Sequence, residues 1–337
     1  KNIFCGNSYR GKSGGKSTIP YRQSILIIRM VFLGKEVLIF MAVLRNRPLG
    51  ILAALFTVVI WAAFLVGTRY AVSGNFTVEE VLILRLLPAA ILMFPFMLKL
   101  GVFPRSIGWV EAFFIMFGAS AIFPFLVSQG LFFAPASDAG ALAPGMLPFW
   151  TALAAFVLTG TKPDKSAVLG LAIILLGAFM IGLWQSLFAG NEGAWKGYLF
   201  FLSGSGLFSI YSVFFLRSGI SPLHGLVIGL FWGAVLAVPV MLATGNVTFS
   251  DAGWRDIAIM ILLQGVIIAI LAMVLFSYAI KQLGAQQTAA FGALTPVLAL
   301  LGGVFFLGES ISIVKIIGVG VVAVGVLLAS GVLSKIN

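Results

Sequence analysis

The chain has 337 residues, is 61% hydrophobic and 9% charged, and carries a net charge of +11. Soluble domains hold roughly 25% charged residues, so a water-soluble globule is excluded and a polytopic membrane protein is implied. The positive charge does not argue for a nucleic-acid partner: residues 1–40 hold Lys1, Arg10, Lys12, Lys16, Arg22, Arg29 and Lys35, and most other basic residues lie between apolar runs, where they act as topology signals.

The first segment in chain order contains "GNSYRGKS" (6–13), which matches the letters of a phosphate-binding loop. Such a loop must open a helix and be followed by enough soluble chain to build a sheet. Here it runs into "GGKSTIPYR", rich in Gly and broken by Pro20, so no nucleotide site is expected. Residues 1–40 read as a basic extension, not native or not structured, with Met41 opening a short basic leader. The apolar stretch 24–44 carries Arg29, Lys35 and Glu36. At mid-helix each such charge opposes insertion by roughly 2.5–3.5 kcal/mol, so an interfacial helix is the most it would form. The one cysteine, Cys5, allows no intramolecular disulfide.

From Leu49 onward the pattern predicts ten membrane helices, at about 49–71, 78–98, 109–133, 138–159, 166–187, 195–216, 222–243, 255–280, 286–307 and 311–333. Thr77-Val-Glu-Glu80 reads as a capping box at the second, and Ser221-Pro222 as a cap followed by an N1 proline at the seventh. With the N-terminus inside, Arg45, Arg47, Lys99, Arg105, Lys162, Lys165, Arg217, Lys281 and Lys335 fall inside, against Arg69, Lys196, Arg255 and Lys315 outside. Both termini are therefore expected in the cytoplasm, with the chain in the cytoplasmic membrane.

A shift of 148 positions aligns the two halves without a gap. Pro148 meets Pro296, Gly160 meets Gly308, Gly170 meets Gly318, Gly177 meets Gly325, and Arg69 meets Arg217. The expected domains are 41–187 and 195–333, five helices each. An odd number of helices makes the second copy enter from the opposite side, an inverted repeat of the kind transporters use. Gly170 and Gly177 share a helix face, as do Gly318 and Gly325, and are expected to let helices approach closely.

Three stretches carry a family resemblance: "IWAAFLVGTRY" (60–70), "VLILRLLPAAIL" (81–92) with its embedded Arg85, and "LTPVLALLGGVFFLGESISIVKIIGVGVVAVGVLL" (294–328). Over roughly 49–333 the chain resembles the EamA family of the drug/metabolite transporter superfamily. The resemblance implies ten helices in an inverted five-plus-five repeat and movement of small, amino-acid-like or related polar metabolites by alternating access. One departure stands out: Gly308-Glu309 keeps the family's Gly-Glu pair, whereas the first copy reads Gly160-Thr161.

Arg85 is the first candidate for substrate contact, because an arginine within a span faces protein interior or water. A structural tie to a helix end is the alternative. Trp61, Trp150, Tyr211 and Tyr278 are amphipathic aromatics in helices that by resemblance line a cavity, where they would stack or gate. Core packing is the alternative for each. Gln129 and Gln264 must find partners if buried, in a neighbouring helix or a substrate. Asp138, Glu111 and Glu309 fall at span ends and are expected to be solvated, and His224 is expected near the inner surface. One Cys, one His and scattered acids supply no metal set, cofactor site or catalytic pair. The partners expected are a small-molecule substrate and the lipid bilayer, with a homodimer left open. The readings set against a carrier are a transporter-fold scaffold and a lipid-modifying membrane enzyme.

Overall fold

The computed structural model describes residues 47–104, 107–188, 193–243, 247–283, 288 and 291–330. The basic extension, its phosphate-loop pattern and the apolar stretch 24–44 lie outside them. Among the described residues all regular structure is helical. In chain order the helices are α1 (Arg47–Val72), α2 (Val78–Leu100), α3 (Trp109–Phe133), α4 (Ala136–Thr159), α5 (Lys165–Phe188), α6 (Ala194–Ser218), α7 (Pro222–Ala243), α8 (Trp254–Ile280), α9 (Leu294–Leu307) and α10 (Ile313–Ala329). Seven are long and apolar enough to cross a membrane, and α5, α9 and α10 contribute shorter apolar stretches. The 14 residues of α9 rise about 21 Å, less than the roughly 30 Å of a bilayer core. The first part of the expected span 286–307 lies mostly outside the described residues.

Local chemistry sets the helix ends. Thr77 and Glu80 form the expected capping box: Glu80 N donates to Thr77 Oγ1 at 3.2 Å and Thr77 N to Glu80 Oε2 at 2.9 Å. Ser221 accepts from the His224 amide at 3.3 Å and caps α7. Gly160 and Gly308, 148 positions apart, end α4 and α9 with φ of +70° and +65°, a backbone that a side chain would strain. Glu80 does more than cap. It is buried, and its Oε1 accepts from the amides of Thr248 (2.9 Å) and Phe249 (2.6 Å), fastening the segment before α8 to the start of α2. Glu80→Ala removes the acceptor for three backbone amides. Each orphaned donor costs about 1 kcal/mol or more, so thermal unfolding in detergent should show a loss of about 2–3 kcal/mol, part of it restored in Glu80→Gln.

Four helices are irregular. A π-helical segment covers Gly118–Ile122 in α3, another Gly233–Ala237 in α7, and a longer one Ile261–Leu271 in α8. The span expected as one helix over 138–159 is divided into Ala136–Leu142 and Leu147–Thr159. The reason is local: Pro144 has no N–H to continue the ladder. Pro88 and Pro95, by contrast, lie inside α2 without ending it.

The closest helix pair is α5 with α10. A Cβ on Gly177 would stand 2.8 Å from the Gly318 carbonyl oxygen, and one on Gly325 would stand 2.9 Å from that of Gly170. Gly170 therefore faces Gly325 while Gly177 faces Gly318, so the two helices run antiparallel. The missing side chains let the backbones touch, where dispersion and close packing drive association within lipid. Elsewhere α1 lies on α8, and α3 on α6.

Candidate functional site

Residues of α1, α2, α3, α4, α6, α7 and α8 converge on one open cavity. The irregular helices shape it. Ala119 and Ser120 come from the π segment of α3, Ile268 and Ala269 from that of α8, and Pro144 and Leu147 from the break in α4. Such segments turn side chains away from the regular helical stripe and recur at functional sites. The wall is mainly apolar and aromatic, with Trp61, Phe64, Phe123, Phe208 and Tyr211.

Arg85 is the only charged residue of that wall. Its guanidinium lies over the Phe64 ring, 4.9 Å from the centroid, a favourable arrangement for a cation on a ring face. Its Nη1 donates to Gln264 Oε1 at 3.4 Å, and Gln264 Nε2 donates in turn to Thr68 Oγ1 at 2.8 Å. Gln264 and Thr68 are fully buried. The neutral chain Thr68–Gln264–Arg85 orients the guanidinium and brings no charge to balance it. Among the described residues the ion pairs are Arg217–Glu111 at 3.9 Å and Lys315–Asp138 at 2.9 Å, and neither involves Arg85. An arginine fork in an apolar wall with most of its donors unspent can hold a carboxylate or another planar oxyanion.

Of the residues expected from sequence, Arg85, Trp61 and Tyr211 line this cavity together. Tyr211 reaches it across Gly118, where a Cβ would meet the tyrosine Cβ at 2.8 Å. Gln264 stands one bond behind the wall. Gln129 lies elsewhere, against a separate depression built by residues 72–80 with Thr248, Ser250 and Asp251. Trp150 packs on Phe149, with ring centroids 5.4 Å apart, and over Gly206 of α6. Tyr278 joins a small cluster with Ala53, Ala54 and Ala279. None of these three is in the cavity wall. His224 is half-buried, its Nε2 3.2 Å from the Gly101 carbonyl oxygen.

The expectation that Asp138 is solvated does not hold, and Glu309 is half-buried. Asp138 is fully buried: Lys315 Nζ lies 2.9 Å from its Oδ1, and Tyr198 OH donates to its Oδ2 at 3.0 Å. Lys315 Nζ also donates to Ser137 Oγ at 3.1 Å. Glu309 accepts from the amides of Ala136 (2.6 Å) and Ser137 (3.0 Å), so a carboxylate covers the start of α4, where helix N–H groups are otherwise orphaned. The physical reason is depth: the first turn of α4 is covered by α6, α9 and α10, so water is replaced by partners. Sequence carried one signal of this, since Asp138 and Lys315 fall at the same side of the predicted topology with opposite charge.

A membrane-embedded helical bundle around a cavity with one cation in its wall has the build of a solute transporter. The model of the EamA-like transporter family matches residues 48–183 and 195–331, and the chain belongs to that family. Among curated proteins it is 29% identical to the "Uncharacterized transporter YyaM" of Bacillus subtilis (strain 168) over 202 residues. The aligned part is 58% of this chain and spans 64% of the length of that relative. A solved crystal structure, described only as that of a protein, is 18% identical and superposes with a TM-score of 0.57, over 84% of this chain and 98% of the other. That likeness concerns the fold alone.

Proposed function

We propose that the chain is a secondary carrier that moves a small metabolite by alternating access, with the substrate held at Arg85 in the central cavity. The observation that carries this reading is the composition of the cavity wall. It takes residues from α1 to α4 in the first matched segment and from α6 to α8 in the second, and its only charge has no counter-ion among the described residues. Ten spans in two inverted halves, with both termini in the cytoplasm, complete the proposal. The reciprocal contacts of α5 and α10 support it: Gly170 faces Gly325 and Gly177 faces Gly318, and the 148-residue shift turns each contact into the other. A twofold axis in the membrane plane generates such an exchange. The Lys/Arg distribution supports the orientation.

The test is metabolite analysis of medium from cells expressing the chain, beside cells expressing Arg85→Ala at equal membrane abundance. A metabolite enriched by the native chain is expected to fall at least about tenfold in the variant, the worth of a lost charged hydrogen bond or two. Equal enrichment in both would remove Arg85 from the substrate site.

A further inference from the structure

The chemistry of the cavity selects among small metabolites, and the selection rests on the carrier reading above. We propose that the cavity takes an organic monocarboxylate with an apolar body and no ammonium group, in preference to a zwitterionic amino acid. Two observations carry this. The first is Arg85, without a counter-ion among the described residues, which supplies one place for one anionic group. The second is what the wall lacks: no Asp or Glu is among its residues.

An ammonium group would have to find carbonyl oxygens instead, and the helix breaks are where carbonyls come free. At the break in α4 four of them are already engaged. The Ala139 and Gly140 carbonyls accept from the amides of Ala143 (2.8 Å) and Gly145 (3.1 Å), and the Pro144 carbonyl accepts from Leu147 N at 3.3 Å. The Ala143 carbonyl accepts from Ser205 Oγ at 2.9 Å. At the π segment of α3, Ser120 Oγ donates to the Met116 carbonyl at 3.0 Å. A zwitterion would therefore bring its ammonium into a largely aromatic wall with hydroxyls and carbonyls but no carboxylate to balance it, and burying a charge so poorly paired is strongly unfavourable. A monocarboxylate brings one charge, pairs it with Arg85, and lays its body against Trp61, Phe123 and Tyr211.

Phenylpyruvate and phenylalanine share a carbon skeleton and differ in a 2-oxo against a 2-ammonio group, so they isolate the point at issue. Equilibrium binding of each radiolabelled compound is measured on the purified full chain in detergent, and counterflow of each in liposomes. Native protein is expected to bind phenylpyruvate at least about tenfold more tightly than phenylalanine. Arg85→Gln is expected to lose that binding by about tenfold or more, and Arg85→Lys to keep part of it. Ser120→Asp, which puts a carboxylate into the wall and leaves Arg85 in place, is expected to move the ratio toward phenylalanine by about tenfold. Phenylalanine bound as tightly as phenylpyruvate, binding of neither, or phenylpyruvate binding indifferent to Arg85→Gln each overturns the ligand class. Arg85-dependent binding of phenylpyruvate with no counterflow upholds the ligand class and overturns the carrier reading.

Discussion

Replacing Asp138 by Asn is expected to lower the unfolding free energy by about 3–5 kcal/mol, the loss typical when one member of a buried ion pair is removed. Asp138 is fully buried and Lys315 is 2% exposed. With the carboxylate gone, the Lys315 cation keeps the Ser137 hydroxyl at 3.1 Å and no anion within ion-pairing distance. Lys315→Met should cost a comparable amount, because it strands the carboxylate with Tyr198 as its remaining hydrogen-bond partner. The pair itself need not contribute much, since desolvating two charges offsets most of their attraction. Asp138→Asn with Lys315→Met together should therefore lose much less than either alone. Thermal unfolding of the four proteins in detergent gives the coupling; a double variant as unstable as the sum of the singles would show that the two groups do not act as a pair.

Gly177→Val is expected to destabilise by about 3 kcal/mol, the upper range for overpacking a tight interface. A Cβ there would stand 2.7 Å from Val322 Cγ2, 2.8 Å from the Gly318 carbonyl oxygen and 2.9 Å from Val322 N. Two of the three obstacles are backbone, so α10 must move as a whole. Gly182 lies on the same helix with nothing within 4 Å of a Cβ. Gly182→Ala should therefore be neutral or gain up to about 1 kcal/mol from helix propensity. Equal losses at both positions would mean that α5 and α10 do not meet through Gly177.

The helices, seven of them long and apolar enough to cross a membrane, were legible in sequence because long apolar runs leave one solution in lipid, where every backbone group must bond within its own segment. Arg85 was legible for the complementary reason: a charge in such a run is rare and needs a cause. Which aromatics share its cavity was harder to read. Lipid is as apolar as a packed interior, so the helical period that separates core from surface in water carries little information about facing. That is how Trp61 and Tyr211 come to line the wall while Trp150 and Tyr278 pack elsewhere, and why Gln129 and Gln264, alike in sequence, stand in different places. The buried pair of Asp138 and Lys315 was hidden by distance along the chain and by the repeat itself. The 148-residue shift matches them with Gln286 and Ala167, so comparing the halves gives no charge signal. The break in α4 lay behind an ambiguous proline, since Pro88 and Pro95 are absorbed by α2 and Pro144 is not.

That unequal dressing of the two halves has an energetic consequence. Asp138, Lys315 and Glu309 have Gln286, Ala167 and Thr161 as their counterparts. On the two-half reading proposed above, identical halves would make the two end states equivalent through the twofold axis and equal in free energy. An ion pair and a carboxylate cap present once tilt that balance, and each 1.4 kcal/mol of tilt changes the resting occupancy about tenfold. The tilt leaves the final distribution of a solute untouched. It sets which side of the membrane finds the empty site waiting, so half-saturation measured from the two sides should differ by the same factor.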